Sequence, residues 1–451
     1  MKFQDILAKN EGKTLEFKEN TKSLASIIKT IIAFANTAGG TIVIGVEDKT
    51  KKVVGLANPL QEEERLTSTI ADSIAPLIVP DIEIQTYRDK EIILIHIPHI
   101  VGPYYLKDAG LEKGTYVRFG STNRIVDATM LESLKLFAKN ISFDQLPYLY
   151  EKSELDWDFI NKTFSKVNKI IDEHKADLLE LTAKHGGKKF PSIGGIVLFG
   201  TNRAQLFPNA MIRCARFLGI DRANILDSVD IESYPTRALE EAIRFIERNT
   251  SVKSEIGRIY RTDIPEYPPV ALREILVNAL LHADYAIKGS TITIAIFDDR
   301  IEITNPGGLV FGQTLPRALS GSSIIRNPVI AQTFRELKLI ERWGSGLQRI
   351  IDACAQRGLE EPKFEERATE FRVTLYNAKS SKPLLNSFQR ELIAYLKTKE
   401  KITTKEAAQL WQISSRNALV RLKHLIDIGI IKKVGTSARD PHGGYILVDQ
   451  N

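Results

Sequence analysis

Residues Ala271 to Tyr285 read ALREILVNALLHADY, and within them Glu274, Asn278 and His282 recur every fourth position, with Asp284 just beyond. Side chains three or four apart share one face of a helix, so this spacing predicts a helix that gathers an acid, an amide and an imidazole. Leu272, Ile275, Leu276, Ala279 and Leu280 are left to pack its other side. A carboxylate so placed can orient and deprotonate a water. An amide oxygen beside it suits Mg²⁺, which takes oxygen donors and shares them with phosphates. A polar outer face on an ordinary helix has the same spacing, so the neighbouring elements must decide between the two.

Those elements are rich in glycine turns. Ser290 to Phe297 and Ile301 to Thr304 read as strands around the tight turn Asp298-Asp299-Arg300, and Asn305-Pro306-Gly307-Gly308 follows. Glycines let backbone N–H groups approach a ligand closely. Trp343-Gly344-Ser345-Gly346-Leu347 then opens a helix, where unpaired amides and the helix dipole favour a phosphate. Ala368 to Leu375 alternates as a closing strand. In this order the pieces resemble the GHKL ATPases, the group of gyrase, the heat-shock chaperone, histidine kinases and mismatch-repair proteins, over about residues 255 to 377. The resemblance implies ATP and Mg²⁺ as ligands, with Glu274 as general base for any hydrolysis and Asn278 as the Mg²⁺ ligand. It implies a nucleotide lined by His282 and Asn305, with Gly307 and Gly308 on the adenine side, Gly344 and Gly346 on the phosphate side, and Thr369 beside the adenine. The chain departs from the family at Asn305, where an acid normally bonds the adenine amino group, and in its short second glycine box.

A chain of 451 residues is too long for one core and is expected to divide into three or four domains. Its 43% hydrophobic and 26% charged residues are ordinary for a globular protein. The apolar runs are far shorter than a membrane span, and MKFQDILAKNEGK lacks the apolar core of a signal peptide. Two cysteines, Cys214 and Cys354, offer neither a disulfide framework nor a zinc pattern, so a cytoplasmic protein without membrane contact is expected. The net charge of +6 is uneven: residues 378 to 451 hold 13 Lys and Arg against 6 Asp and Glu. A localised positive patch attracts polyanions.

That basic segment reads as three helices, about Ser387 to Lys399, Thr404 to Leu410 and Ser415 to Ile428, then a hairpin. Leu419, Leu422 and Ile426 fall at core spacing on the third helix, leaving Arg416, Asn417, Val420, Arg421, Lys423 and His424 outside. Arg and Asn read base edges and Lys suits phosphates. With Lys432 and Lys433 on the hairpin, the segment resembles the winged-helix DNA-binding domain.

Near the N-terminus, Leu15 to Lys18 reads as a strand, Ser23 to Thr37 as a helix stopped by Gly39-Gly40, and Thr41 to Val46 as a buried strand. A hairpin, Ile82 to Tyr87 and Glu91 to Pro98, and the strand Thr115 to Phe119 are expected to complete one mixed sheet. LEFKEN, AFANTAGGTIVIGVED and YVRFGSTNR are together similar to the Schlafen-type AlbA-like domain, over about residues 8 to 138. The similarity implies that Lys29, Asn36, Arg118 and Arg124 lie near a polyanion surface. Some Schlafen proteins are nucleases, and the positions of their three carboxylates match Glu11, Glu16 and Asp48. Converging acids can bind a divalent metal and activate water, whereas surface acids are more often simply paired or solvated.

The middle is plainer. Ser153 to Lys175 and Arg237 to Asn249 read as helices, and Ile193 to Phe199 and Met211 to Phe217 as buried strands. The run Lys184 to Lys189 lacks the spacing of a P-loop, none occurs elsewhere, and it is expected to be a solvated loop. The fold class expected is multidomain α/β and α+β: a mixed-sheet AlbA-like domain over 1–140, a middle segment over 141–254, a GHKL-like α/β sandwich over 255–377 and a winged helix-turn-helix over 378–451. This order resembles bacterial proteins described as transcriptional regulators, some labelled as RecG-helicase-like. Without a P-loop, helicase action is not expected. The expected function is an ATP-responsive DNA-binding regulator acting as a homo-oligomer. Two other readings remain open, a metal-dependent nuclease acting in defence and a nucleotide sensor that binds protein partners.

Overall fold

The computed structural model describes residues 3–150, 154–256, 261–340, 346–367, 369–378, 387–427, 430–434 and 444–448. The N-terminal module is built on a four-stranded sheet in the order Leu15–Lys18, Gly40–Ile44, Lys90–Ile97, Asp81–Tyr87. The first pair is parallel and the others antiparallel. Because alternate strand residues point to opposite faces, the sheet has two cores. Ile42, Ile44, Ile93 and Ile95 pack on the helix Leu24–Thr37, while Phe17, Val43, Ile92 and Leu94 pack beneath the short helix Phe3–Leu7. Gly39, at φ +73, ends the long helix, and a side chain at Gly40 would strike the Phe34 ring.

The strand Tyr116–Phe119 does not join this sheet as expected. It pairs with Thr122–Ile125 as a separate hairpin, held on the helix by Asn36. The Asn36 amide donates to the Tyr104 and Tyr116 carbonyls and accepts from the Tyr104 N–H, at 2.8 to 2.9 Å.

The second body carries a six-stranded sheet in the order Ile225–Ile231, Ile212–Phe217, Ile292–Ile296, Arg300–Pro306, Glu370–Tyr376, Lys363–Arg367. Ile212–Phe217 runs parallel to Ile292–Ile296 in direct register, so the segments expected separately at 141–254 and 255–377 share one sheet and one core. The physical reason is that Ile212 and Cys214 fall in register with Ile292 and Ile294 and extend the same apolar sheet face, which the helices of this core bury. The helices Pro235–Asn249 and Pro269–His282 belong to the same core.

Two expectations in the middle fail for local reasons. Ile193–Phe199 is a helix, not a strand, because the Ser192 hydroxyl caps it by accepting from the Gly195 N–H at 2.9 Å; an apolar run this short fits either element. The single helix expected over Ser153 to Lys175 is two, Trp157–Ser165 and Glu173–Leu178, each started by an aspartate cap. Lys184 to Lys189 forms a hairpin turned by Gly186 and Gly187, both at positive φ.

The C-terminal unit has the expected three helices, Ser387–Lys399, Thr404–Leu410 and Ser415–Asp427, and an antiparallel hairpin, Ile431–Val434 with Gly444–Leu447. Its core is rotated from expectation: Ala418, Leu422 and Leu425 are buried and Leu419 is exposed.

Asp144 ties the second body together across a long sequence span. Its carboxylate accepts the Val329 and Ile330 N–H groups at 2.8 and 3.3 Å, capping the helix Pro328–Glu336, and the Ser142 hydroxyl at 2.5 Å. Burial, outweighing these donors, pushes its pKa up to about 6. Replacing it as Asp144→Ala strands two buried N–H groups and is expected to destabilise the chain by about 2 kcal/mol, read as a fall in the urea midpoint with unchanged slope.

Candidate functional site

The helix Pro269–His282 is buried on almost all sides, by Ala271, Leu272, Ile275, Leu276, Val277 and others. Polar groups on such a helix need polar company or a ligand. Theirs is a cavity of about 620 Å³ whose wall includes Glu274, Asn278, His282, Asn305, Gly308 and Gly346. That volume is in the range of small-molecule and cofactor sites. Ile275, Ala279, Ile303 and Phe371 give the wall an apolar stretch.

Glu274 is only 9% exposed, and its carboxylate lies 3.5 Å from the Arg349 guanidinium. The helix Gly346–Ala355 begins directly against it: a Cβ at Gly346 would collide with the Glu274 carboxylate and crowd the Asn278 amide. Arg326 and Arg335 also line the cavity, and with Arg349 they bring three guanidinium groups to its wall among the described residues. Guanidinium groups suit anionic oxygens. Arg326 donates to the Asp284 carboxylate at 2.9 Å and to the Gly308 carbonyl, and its buried Nε has no partner among the described residues. Burial lowers its pKa, opposed by Asp284 and Glu366. Burial, with a smaller push from Arg326, brings His282 down to about 4, so its ring is neutral at pH 7.

The helix thus gathers Glu274, Asn278 and His282, while Asp284 lies past its end and holds Arg326. Asn305, Gly308 and Gly346 share the cavity; Gly344 lies outside the described residues. Gly307 and Thr369 do not line it. The Gly307 N–H donates to the Thr369 carbonyl at 2.7 Å, Gly307 backs onto Asp284 and Arg326, and Thr369 is exposed in a turn. Phe371, two residues on, takes the wall position instead. Sequence reasoning missed Arg326, Arg335, Gln313 and Phe371. Phe371 sat inside the closing-strand motif, whereas the arginines belong to no pattern that spacing reveals.

In the N-terminal module two of the residues expected near a polyanion have partners within the fold. Asn36 is buried in the hydrogen bonds described above, and Arg118 is buried against Glu16, the Gly12 carbonyl and Asn123. Arg124 is exposed, and Lys29 lies over the Tyr116 ring at 5.5 Å. Of the three carboxylates, Glu16 is taken by Arg118 and Lys18. Glu11 accepts the Phe17 N–H at 2.7 Å, its pKa raised by burial, and Asp48 is 3.6 Å from Lys51. Among the described residues no three His, Cys, Asp or Glu side chains are grouped to hold a metal. In the C-terminal unit Arg416, Asn417, Lys423, Lys432 and Lys433 are exposed, whereas Arg421 stacks on Phe388 at 4.7 Å and Trp411 at 5.6 Å. No described helix is long and apolar enough to cross a membrane.

Comparison with known proteins gives two family matches. Residues 11–127 match the model described as "Schlafen, AlbA_2", and residues 289–375 match one described as "Putative ATP-dependent DNA helicase recG C-terminal". An uncharacterized ATP-binding protein of Ureaplasma parvum serovar 3 is 24% identical over 270 residues, covering 55% of this chain and 74% of that protein. A crystal structure of a Corynebacterium diphtheriae protein aligns over 99% of this chain and 96% of its own, at 18% identity and a TM-score of 0.43. The N-terminal domain of a RecG-related protein of Nitrosomonas europaea aligns over 27% of this chain and 92% of its own, at 26% identity and a TM-score of 0.22.

Two outcomes follow from this packing. Gly346→Val drives a branched side chain into Glu274 and is expected to cost about 1–3 kcal/mol of stability by overpacking, measured by thermal unfolding at pH 7. His282 has a folded pKa below its ordinary 6.5, so its contribution is fully present above pH 6.5. That contribution is lost as pH falls toward 4, by up to ~3 kcal/mol. The difference in denaturation midpoint between pH 7 and pH 4.5 is therefore expected to shrink in His282→Asn.

Proposed function

We propose that this chain is a DNA-binding regulator whose cavity takes ATP with Mg²⁺. One observation carries the nucleotide reading: Glu274, Asn278 and the start of the helix Gly346–Ala355 meet at a single cavity that also holds three arginines. A helix N-terminus and guanidinium groups suit phosphate oxygens, and the apolar stretch around Ile303 and Phe371 suits a planar base. The similarity to a protein named as ATP-binding points the same way. Asn278 would hold Mg²⁺ through its amide oxygen, and the metal would neutralise phosphate charge. Glu274 is the one carboxylate in the wall among the described residues and would orient the attacking water. Its pairing with Arg349 at 3.5 Å restrains it, so release of that pair by the phosphates governs any turnover.

The DNA reading rests on the C-terminal unit, whose helices and hairpin follow the winged-helix pattern. Arg416, Asn417 and Lys423 stand exposed on the helix Ser415–Asp427, with Lys432 and Lys433 on the hairpin. A homo-oligomer on a repeated site fits a chain with one such unit per copy. The nuclease alternative depends on Glu11, Glu16 and Asp48, of which Glu16 is already bound by Arg118 and Lys18. Intact RNA and DNA after incubation with the protein and Mn²⁺ would set it aside.

Titrating ATP with Mg²⁺ against wild type and Asn278→Ala tests the site: saturable binding weakened about tenfold or more, in the range seen for loss of a metal ligand's support, is expected. Equal affinities would sink it. For DNA, Lys423→Ala and Lys432→Ala are each expected to reduce the slope of log affinity against log salt by about 1, read by fluorescence anisotropy on a duplex.

A further inference from the structure

The segment from Gly308 to Gln313 has two sides. Leu309, Val310 and Gln313 face the cavity, while Phe311 and Gly312, between them, face the N-terminal module. Phe311 packs into a third apolar cluster of that module, beside Val117, Leu131 and Leu134, with its ring edge-on to Phe137 at 6.0 Å. Phe137 in turn lies 5.7 Å from the His99 ring. Gly312, at φ +82, is pressed against His99 so closely that a Cβ would collide with the ring, and its N–H donates to the Thr37 carbonyl at 2.7 Å. The cavity-wall residue Leu309 is tied separately. Its N–H donates to Glu366 at 3.1 Å, and the same carboxylate oxygen takes Lys13 at 2.6 Å.

Both ties converge on one buried ion pair. Thr37, which receives Gly312, accepts the Arg118 N–H through its hydroxyl at 2.9 Å. Lys13 follows Gly12, whose carbonyl receives the Arg118 side chain at 3.0 Å. Arg118 is itself bound to Glu16. Closely packed walls shift between discrete arrangements rather than deforming freely, so a wall with a ligand on one side and a module on the other couples the two.

We propose that occupancy of the cavity is transmitted to the N-terminal module through residues 308–313, with the Arg118–Glu16 pair as the receiving point. The inference rests on the cavity taking a nucleotide, but it names a different recipient from the C-terminal unit. By linkage, whatever engages the N-terminal module changes nucleotide affinity by the same factor.

Hydrogen exchange of the full chain, with and without ATP and Mg²⁺, tests this beside calorimetric ATP titration. Saturable binding, with altered exchange in peptides covering 10–20 and 97–101 as well as 308–326, is the expected result. Lys13→Ala, at a partly exposed side chain that does not line the cavity, and Phe137→Ala loosen the docking that holds the wall. Each is expected to weaken ATP binding about fivefold, at the lower end of ordinary coupling, and to erase the response in 10–20. Saturable binding with 10–20 and 97–101 unchanged, and variant affinities within about twofold of wild type, would overturn the coupling and leave the nucleotide reading standing. No binding at all would remove both.

Discussion

A carboxylate buried among apolar neighbours on the helix Pro269–His282 is the constraint on which the second body turns. Glu274 has Ile275, Leu276 and Val277 beside it in the chain, all buried, and an isolated charge there would cost several kcal/mol. Arg349 and the first turn of Gly346–Ala355 relieve this cost by bringing a guanidinium and a helix N-terminus to the acid. For the helix to come so close, position 346 has to lack a side chain. The requirement at one acid thereby sets the residue at 346, the path of the second helix and one wall of the cavity.

The opposite wall follows from a second buried charge. Arg326 needs acceptors, and it finds them at Asp284, just past the helix that carries Glu274, and at the Gly308 carbonyl, where the strand Arg300–Pro306 gives way to the covering segment. The arginine therefore fastens the end of the helix Pro269–His282 to the start of the segment Gly308 to Gln313. Glu366 fastens the segment again, through Leu309, and reaches across to Lys13. Ligand space and domain docking are consequently built from the same few residues.

The four-residue spacing of Glu274, Asn278 and His282 was enough to place them on one face, because a helix imposes that periodicity whatever surrounds it. The glycine turn at 307–308 and the helix opening at 346 were also readable, since few residues besides glycine tolerate such backbone approach; Gly307 itself sits at φ +89. Arg326 and Arg335 were not readable, because an arginine that closes a cavity has no local signature and its partners lie tens of residues away. The union of the middle segment with the following domain was hidden for a similar reason. Strand order is decided by which faces must be buried, and the parallel pairing of Ile212–Phe217 with Ile292–Ile296 spans some 80 residues of intervening chain. Ile193–Phe199 failed as a strand because a single hydroxyl cap outweighed an ambiguous apolar run.

In the N-terminal motif, residue type does not reveal which side chains are already engaged within the fold. Asn36 and Arg118 have the chemistry of nucleic-acid contacts, yet each has its hydrogen-bonding groups satisfied within the fold, Asn36 holding the hairpin and Arg118 holding Glu16, Gly12 and Asn123. Neither can reach a phosphate without leaving a buried group unpaired, which costs about 1–3 kcal/mol for each. The basic surplus lies instead in residues 378 to 451, where Arg416, Lys423, Lys432 and Lys433 are exposed. The charge that attracts a polyanion and the polar network that meets the cavity wall are thus on different parts of the chain. The buried Arg118–Glu16 pair reaches that wall through Thr37 and Gly312, whereas the C-terminal basic side chains stand exposed.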